Sequence, residues 1–270
     1  NLPELVRARR HGVKFSSSTR LFFEHCPAQI IGVTGTKGKG TVATLIYKIL
    51  RGAGKDAWLV GNIGKPALDV LPRLKPTSLV VFELSSFQLQ DLPVSPPVAV
   101  ILDIFPDHQD SHNSLREYYV AKANIVRHQK LGDRVFVFRD SPRARGLTRQ
   151  SRGTAVLVRH DHPAILNPAD WRLVGKHNFR NLAMAAAVAR HLGVSSRIII
   201  TVAKQSRGLP HRLEFVRRIG QISFYDDSAA TNPSAAAAAV HAFPLARQVL
   251  IAGGRGKGLD YRPLAAALRH

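Results

Sequence analysis

The seven residues Gly35-Thr36-Lys37-Gly38-Lys39-Gly40-Thr41 set glycines, two lysines and two hydroxyls between an apolar run, Ile30–Thr34, and an apolar-periodic run, Thr41–Leu50. A strand followed by a helix is the setting in which a glycine-rich turn aims backbone N–H groups at a phosphate, with the helix dipole adding positive potential. Lys39 would reach the outer phosphates of a nucleotide, and Thr41 would offer its hydroxyl to Mg²⁺. The position after Lys39, where such loops carry Ser or Thr, is Gly40, which moves the metal-facing hydroxyl to Thr41. A glycine-rich turn with no ligand is the plain alternative, and two lysines inside the loop speak against it.

Further polar residues stand after other apolar runs. Glu83 ends Leu79–Phe82, where a carboxylate needs a partner because an unpaired buried charge is costly. Magnesium held on phosphate would serve, and so would a lysine or a helix cap. Asn62 follows Ala57–Val60, and Asp107-His108-Gln109-Asp110 follows Val98–Leu102, offering oxygen and imidazole ligands or simply a polar turn. Ser114 and Glu117 have capping-box spacing and predict a helix start. On that helix Lys122 shares a face with Tyr118, Tyr119, Ile125 and Val126. A lysine centred in such a stripe is either functional or snorkels its ammonium to solvent, and spacing alone favours snorkelling.

Asn178 and Asn181, after Gly175-Lys176-His177, can read an adenine edge or cap the helix Asn178–Leu192. Leu209-Pro210-His211-Arg212 reads as a hinge ending in an anion-binding arginine or as an ordinary linker, and Asp226-Asp227 follow Ile222–Tyr225. Gly253-Gly254-Arg255-Gly256-Lys257-Gly258 is a second phosphate nest or a flexible turn.

The elements that must position these groups alternate between short β-branched runs and helical patterns, which predicts an α/β fold with a mostly parallel sheet. Its strands are Ile30–Thr34, Ala57–Val60, Leu79–Phe82, Val98–Leu102 and Val135–Phe138. A later unit has strands at Ile222–Tyr225 and Val249–Ile251 around a helix at Pro233–Ala242, and Asp140–Asp170 reads as loop. Five polar groups beyond strand ends mark one site, because ligands of open α/β sheets bind past the carboxyl ends of the strands.

Composition sets bounds. Hydrophobic residues make up 45% of the chain, enough for a core, and its apolar runs are too short to cross a bilayer. One cysteine, Cys26, rules out an internal disulfide and fits a reducing, cytoplasmic setting. The net charge of +21 favours anionic ligands. Its densest stretch, Arg139, Arg143, Arg145, Arg149 and Arg152, lacks the aromatics of a single-strand nucleic-acid platform and reads as a solvated surface.

In this order, the segments resemble the Mur ligases of peptidoglycan synthesis. The resemblance rests on Thr34–Thr41, Gly61-Asn62-Ile63-Gly64, Glu83-Leu84-Ser85-Ser86-Phe87-Gln88-Leu89, Asp107-His108, Lys122, His177-Asn178 with Asn181, Leu209–Arg212, Asp227-Ser228-Ala229-Ala230-Thr231-Asn232, and Gly253–Asp260. It implies a P-loop-type central domain at 28–208, preceded at 1–27 by the tail of a UDP-sugar domain and followed at 209–270 by part of a Rossmann-like domain. It also implies ATP-driven amide formation through an acyl phosphate, with ATP and two Mg²⁺ ions as cofactors and a monomer as the working form. Catalytic roles fall to Lys39, Glu83, His108 and Lys122. Nucleotide contacts fall to Gly35, Thr36, Lys37, Gly38, Lys39, Gly40, Thr41, Asn62, Asn178, Asn181, Arg212 and Asp227. The metals would lie near Thr41, Glu83, His108 and a carbamylated Lys122. The Ser85–Leu89 run points to the D-glutamate-adding branch, whose substrates are UDP-N-acetylmuramoyl-L-alanine and D-glutamate. Gly40 is shared with folylpolyglutamate synthetases, and Ala229 stands where many members have lysine. A folylpolyglutamate-type ligase and a non-catalytic ATP-binding module are therefore the competing expectations.

Overall fold

The computed structural model describes residues 3–105, 114–159, 175–243, 246–254 and 259–269. In chain order its elements are α1 (Pro3–Arg10), α2 (Ser18–His25), β1 (Gln29–Thr34), α3 (Lys39–Gly52), β2 (Ala57–Gly61), α4 (Ala67–Val70) and β3 (Leu79–Glu83). There follow α5 (Ser86–Gln90), β4 (Val98–Ile101), α6 (Leu115–Arg127), β5 (Arg134–Phe138), α7 (Pro142–Thr148) and β6 (Thr154–Val158). The remainder is α8 (Lys176–His191), α9 (Ser196–Gln205), β7 (Glu214–Ile219), β8 (Ile222–Asp226), α10 (Pro233–His241) and α11 (Arg262–Ala267). By packing, these fall into two compact units: residues 1–39 with 54–158, and residues 40–53 with 159–270.

The first unit is built on a six-stranded sheet in the order β2-β3-β1-β4-β5-β6, every neighbouring pair parallel. Strands buried on both faces read as near-continuous apolar runs: β4 is apolar from end to end, and β1, β3 and β5 are apolar apart from polar end residues, with Ile31, Val33, Val81 and Val100 fully buried. The chain leaves β1 for β2, returns to β3, then crosses to the opposite side of β1 for β4. The carboxyl end of β1 is therefore the switch point of the sheet, where connections diverge and leave a crevice. Phe22 of α2 meets Phe82 of β3 edge to face at 5.4 Å, and Tyr118, Ile125 and Val126 bring α6 into the same core.

The helices α5 and α6 owe their starts to caps. At α5 the Ser85 hydroxyl accepts from Gln88 N–H while Gln88 Oε1 accepts from Ser85 N–H, a complete capping box. At α6 the Ser114 hydroxyl accepts from Glu117 N–H as expected, and the Glu117 carboxylate accepts from Gln90 Nε2 at 3.2 Å.

In the second unit the alanine-rich α8 buries Met184, Ala185, Ala186 and Ala189. α9 buries Ile199 and Ala203. β7 and β8 form an antiparallel hairpin with an irregularity between Phe215 and Arg217, and α10 packs on α11.

Two expectations fail. Asp140–Asp170 is not all loop, since its described part holds α7 and β6. Pro142 is a turn-type residue, yet it sits in the first turn of α7, where a missing N–H costs nothing. Val249–Ile251 is not a strand, and Val249 and Ile251 are over 90% exposed. A strand needs a neighbour for its N–H and C=O groups, and among the described residues no strand pairs with this run. No helix among the described residues is long and apolar enough to cross a membrane.

Candidate phosphate-binding site

The site begins where β1 ends. Gly35 has φ +152°, and a Cβ there would stand 2.6 Å from Leu102 Cβ, so the loop passes close against the exit of β4 only because it has no side chain. Thr36 N–H donates to Asp103 O at 2.8 Å. Its hydroxyl donates to Phe105 O at 3.1 Å, accepts from Phe105 N–H at 2.9 Å, and lies 2.9 Å from Tyr118 Oη. Lys37 points to solvent, and Gly38, Lys39 and Gly40 are half-buried as α3 begins. The Lys39 ammonium donates to Thr36 O at 3.2 Å, which folds it back over the loop.

Glu83, at the carboxyl end of β3, is buried, with Oε1 4.0 Å from Lys39 Nζ. A loose cation–carboxylate pair therefore borders the loop, and the two partners offered for Glu83 by sequence, a lysine and a phosphate-held metal, concern the same spot. Asn62 is exposed beside it: Gly61 pairs with Glu83 across the sheet, and Asn62 N–H donates to Glu83 O at 3.5 Å. Gly61 has φ +115°, and a Cβ there would lie 2.2 Å from Glu83 O.

Lys122 corrects the reading from spacing. It does not snorkel: the residue is 2% exposed, and Nζ donates to Gly35 O at 2.9 Å and to Thr34 Oγ1 at 3.3 Å. Nζ also stands 4.8 Å from the Tyr118 ring centroid, within cation–π range. The helix α6 thus drives an amine into the switch point of the sheet, onto the backbone of the glycine-rich loop. Asp107, His108, Gln109 and Asp110 lie outside the described residues.

The other expected site residues belong to the second unit. Thr41 is half-buried in the first turn of α3. Asn178 and Asn181 are buried on α8 and joined by Asn181 Nδ2 to Asn178 Oδ1 at 3.2 Å. Neither is the helix cap, a place held by Gly175. Arg212 is exposed. Asp227 Oδ1 accepts from Leu213 N–H at 3.0 Å, and burial raises the Asp227 carboxyl above its usual range, against the opposing pull of that N–H and of Arg212. Beside it is an ion pair that sequence reading missed. His211 Nδ1 meets Asp226 Oδ2 at 2.7 Å, which raises the imidazole and holds Asp226 down at about 2. The turn that makes it bends through positive φ at His211 and Leu213, 61° and 44°, which no sequence pattern signalled.

Residues 33–160 match the Mur ligase middle domain. The chain is 36% identical to UDP-N-acetylmuramoylalanine–D-glutamate ligase of Acetivibrio thermocellus, aligning over 99% of its own length and 62% of the relative's. It is 38% identical to the enzyme of the same name from Symbiobacterium thermophilum, over 98% of this chain and 63% of that one. The chain therefore spans about three-fifths of the length of the curated relatives it matches. Among solved structures it superposes on a MurF from Acinetobacter baumannii with TM-score 0.65 at 21% identity, covering 85% of this chain and 57% of that one. It superposes on Mycobacterium tuberculosis folylpolyglutamate synthase, solved with ADP, with TM-score 0.64 at 15% identity, covering 89% and 73% of the two chains. At such identities these structures speak for the fold alone. The glycine-rich loop, the buried Glu83 and the amine of Lys122 meet at the switch point of a parallel sheet, and all lie within residues 33–160, the stretch that resembles the Mur ligase middle domain.

Proposed function

We propose that this chain is the ATP-handling part of a ligase that joins D-glutamate to UDP-N-acetylmuramoyl-L-alanine. One observation carries the reading: α6 buries the Lys122 amine on the carbonyl of Gly35, inside the loop that would cradle phosphates. An amine held there would, once carbamylated, become an anion able to hold a metal beside the transferring phosphoryl group.

The residues fit a nucleotide with magnesium. Lys39 is a partly exposed cation on the loop, and Glu83 is a buried carboxylate within 4.0 Å of it. Glu83, Thr41 and His108 would hold magnesium, as would Lys122 if carbamylated, and the metal would offset charge on the phosphates. In this reading the substrate carboxylate attacks the γ-phosphorus and ADP leaves. The amine of D-glutamate then attacks the acyl phosphate, and inorganic phosphate departs as the amide forms. Lys39 neutralises charge on the phosphates throughout. Asn178, Asn181, Arg212 and Asp227 would contact the nucleoside. Residues 1–27 would end a UDP-sugar domain, 28–208 form the ATP-binding domain, and 209–270 contribute to a Rossmann-like domain. A cytoplasmic monomer goes with this function.

Gly40 and the likeness in fold to folylpolyglutamate synthase favour a second reading, a ligase that adds L-glutamate to a folate. Relatives named for D-glutamate ligation, at 36–38% identity over nearly all of the chain, support the first. The test is ADP release by the protein as its gene encodes it. The first reading expects release only with both UDP-N-acetylmuramoyl-L-alanine and D-glutamate. Release with a folate and L-glutamate instead would replace it with the second.

A further inference from the structure

The hydrogen bonds at Thr36 can be balanced proton by proton. Its hydroxyl donates to Phe105 O and accepts from Phe105 N–H. A hydroxyl has one proton and two lone pairs, so its proton is committed, and the 2.9 Å bond to Tyr118 Oη needs the phenol as donor. Tyr118 is 1% exposed on α6. Phenylalanine would fill that space without a polar group to satisfy, so packing does not explain the hydroxyl. Thr36 is correspondingly occupied, since its N–H is taken by Asp103 O. Its role is to anchor the loop, and the anchor has three parts: the exit of β4, its own hydroxyl, and Tyr118. The Tyr118 ring also carries the Lys122 ammonium on its face at 4.8 Å. One buried side chain therefore touches the loop and the lysine together.

We infer that Tyr118 is a positioning residue for phosphate binding. Its phenol clamps Thr36 and thereby holds Gly35–Thr41 in the shape that receives the β-phosphate of the nucleotide. It acts through Thr36 rather than on the ligand. The inference rests on the nucleotide reading of the loop and goes beyond it, because it assigns a residue outside the loop to the loop's affinity.

The experiment is calorimetric titration of the 270-residue chain with MgADP and with AMP, which lacks the β-phosphate. Tyr118→Phe is expected to lower the ratio of MgADP to AMP affinity by about fivefold, the worth of one net hydrogen bond. Thr36→Val is expected to lower it at least as far, while Thr36→Ser, which keeps the hydroxyl, retains the wild-type ratio. Adding Tyr118→Phe to Thr36→Val is expected to cause no further loss, which a general effect on stability would not produce. An unchanged ratio in Tyr118→Phe, or independent additive effects, would overturn the role of Tyr118 while leaving nucleotide binding intact. Should Tyr118→Phe fail to fold, equal ratios in Thr36→Val and Thr36→Ser overturn it instead. Wild-type chain that binds no MgADP removes the nucleotide reading, and the inference with it.

Discussion

Replacing Lys122 by methionine and by alanine separates what this side chain does for stability from what it does for chemistry. Burying an ammonium costs several kcal/mol. Against that stand two charge-assisted hydrogen bonds, to Gly35 O and Thr34 Oγ1, contributing about 1.5–3 kcal/mol each, and a ring contact of about 1–2 kcal/mol. The opposing contributions are of one size, so Lys122→Met, which keeps the volume and discards the charge, is expected to lie within about 2 kcal/mol of wild type. Thr34 Oγ1 keeps a partner in the variant, because it also donates to Leu84 O at 2.9 Å. Lys122→Ala leaves a cavity in a site that is 2% exposed, and emptying such a site costs about 2–5 kcal/mol. The alanine variant should therefore melt roughly 5–15 °C below the methionine variant, at about 2–4 °C per kcal/mol for units of this size. Thermal unfolding followed by circular dichroism reads the difference. In turnover the two variants should look alike, both failing to release ADP. Short carboxylic acids, which fit the alanine cavity, should partly restore release in Lys122→Ala alone. A methionine variant as unstable as the alanine one would refute the balance argued here. Wild-type turnover in either variant would refute the catalytic role.

Three other outcomes follow from the geometry. His211 is raised by Asp226 and Asp226 is lowered to about 2 by His211. The raised histidine stabilises fully below its ordinary 6.5, and the lowered aspartate does so above its ordinary 3.8. The pair therefore acts fully between those values, and is lost as pH rises through the raised imidazole value or falls through about 2. The His211 proton resonance should titrate above 6.5 in the wild type and return to the ordinary range in Asp226→Asn; an unchanged midpoint in the variant would deny the pair. Gly61→Ala puts a Cβ 2.2 Å from Glu83 O at φ +115°, so it should lower stability by roughly 1–3 kcal/mol and weaken MgADP binding by moving Glu83; a neutral melting temperature would speak against that crowding. Ser85→Ala removes the α5 cap and should lower stability by about 1 kcal/mol, with Ser85→Gly costing less; urea unfolding of the two variants tests the order.

The parallel core was readable because its strands carry one unbroken signal. Ile30–Thr34 is apolar up to its last residue and Val135–Phe138 is apolar throughout; both are flanked by turn residues, and they became β1 and β5 within a residue or so. The glycine-rich loop was readable for a different reason, since glycine and lysine at that density have few structural uses. What stayed hidden depended on contacts distant along the chain. Lys122 looked like a snorkelling lysine because spacing describes a helix face and not what covers it; the acceptor on Gly35 lies 87 residues away. Tyr118 was grouped with the apolar stripe, although its hydroxyl served a threonine 82 residues back. The one available hint was a tyrosine where phenylalanine would have packed. α7 and β6 were missed because proline and glycine carry turn signals even when, as at Pro142, the residue sits in a helix's first turn.

The helix α6 is tied down along its length. Glu117 accepts from Gln90, Tyr118 meets Thr36, Lys122 reaches Gly35, Asn124 donates to Leu89 and Gln90, and Arg127 donates to Gln150. Each of these contacts depends on where its side chain falls around the helix axis. Inserting or deleting one residue near the start would turn everything after it by about 100° and slide it about 1.5 Å. All the downstream contacts would be lost in one event. The length of α6 is therefore far less free to vary than its composition: single replacements break one tie at a time, whereas a change of length breaks the whole row and pulls the amine away from the loop.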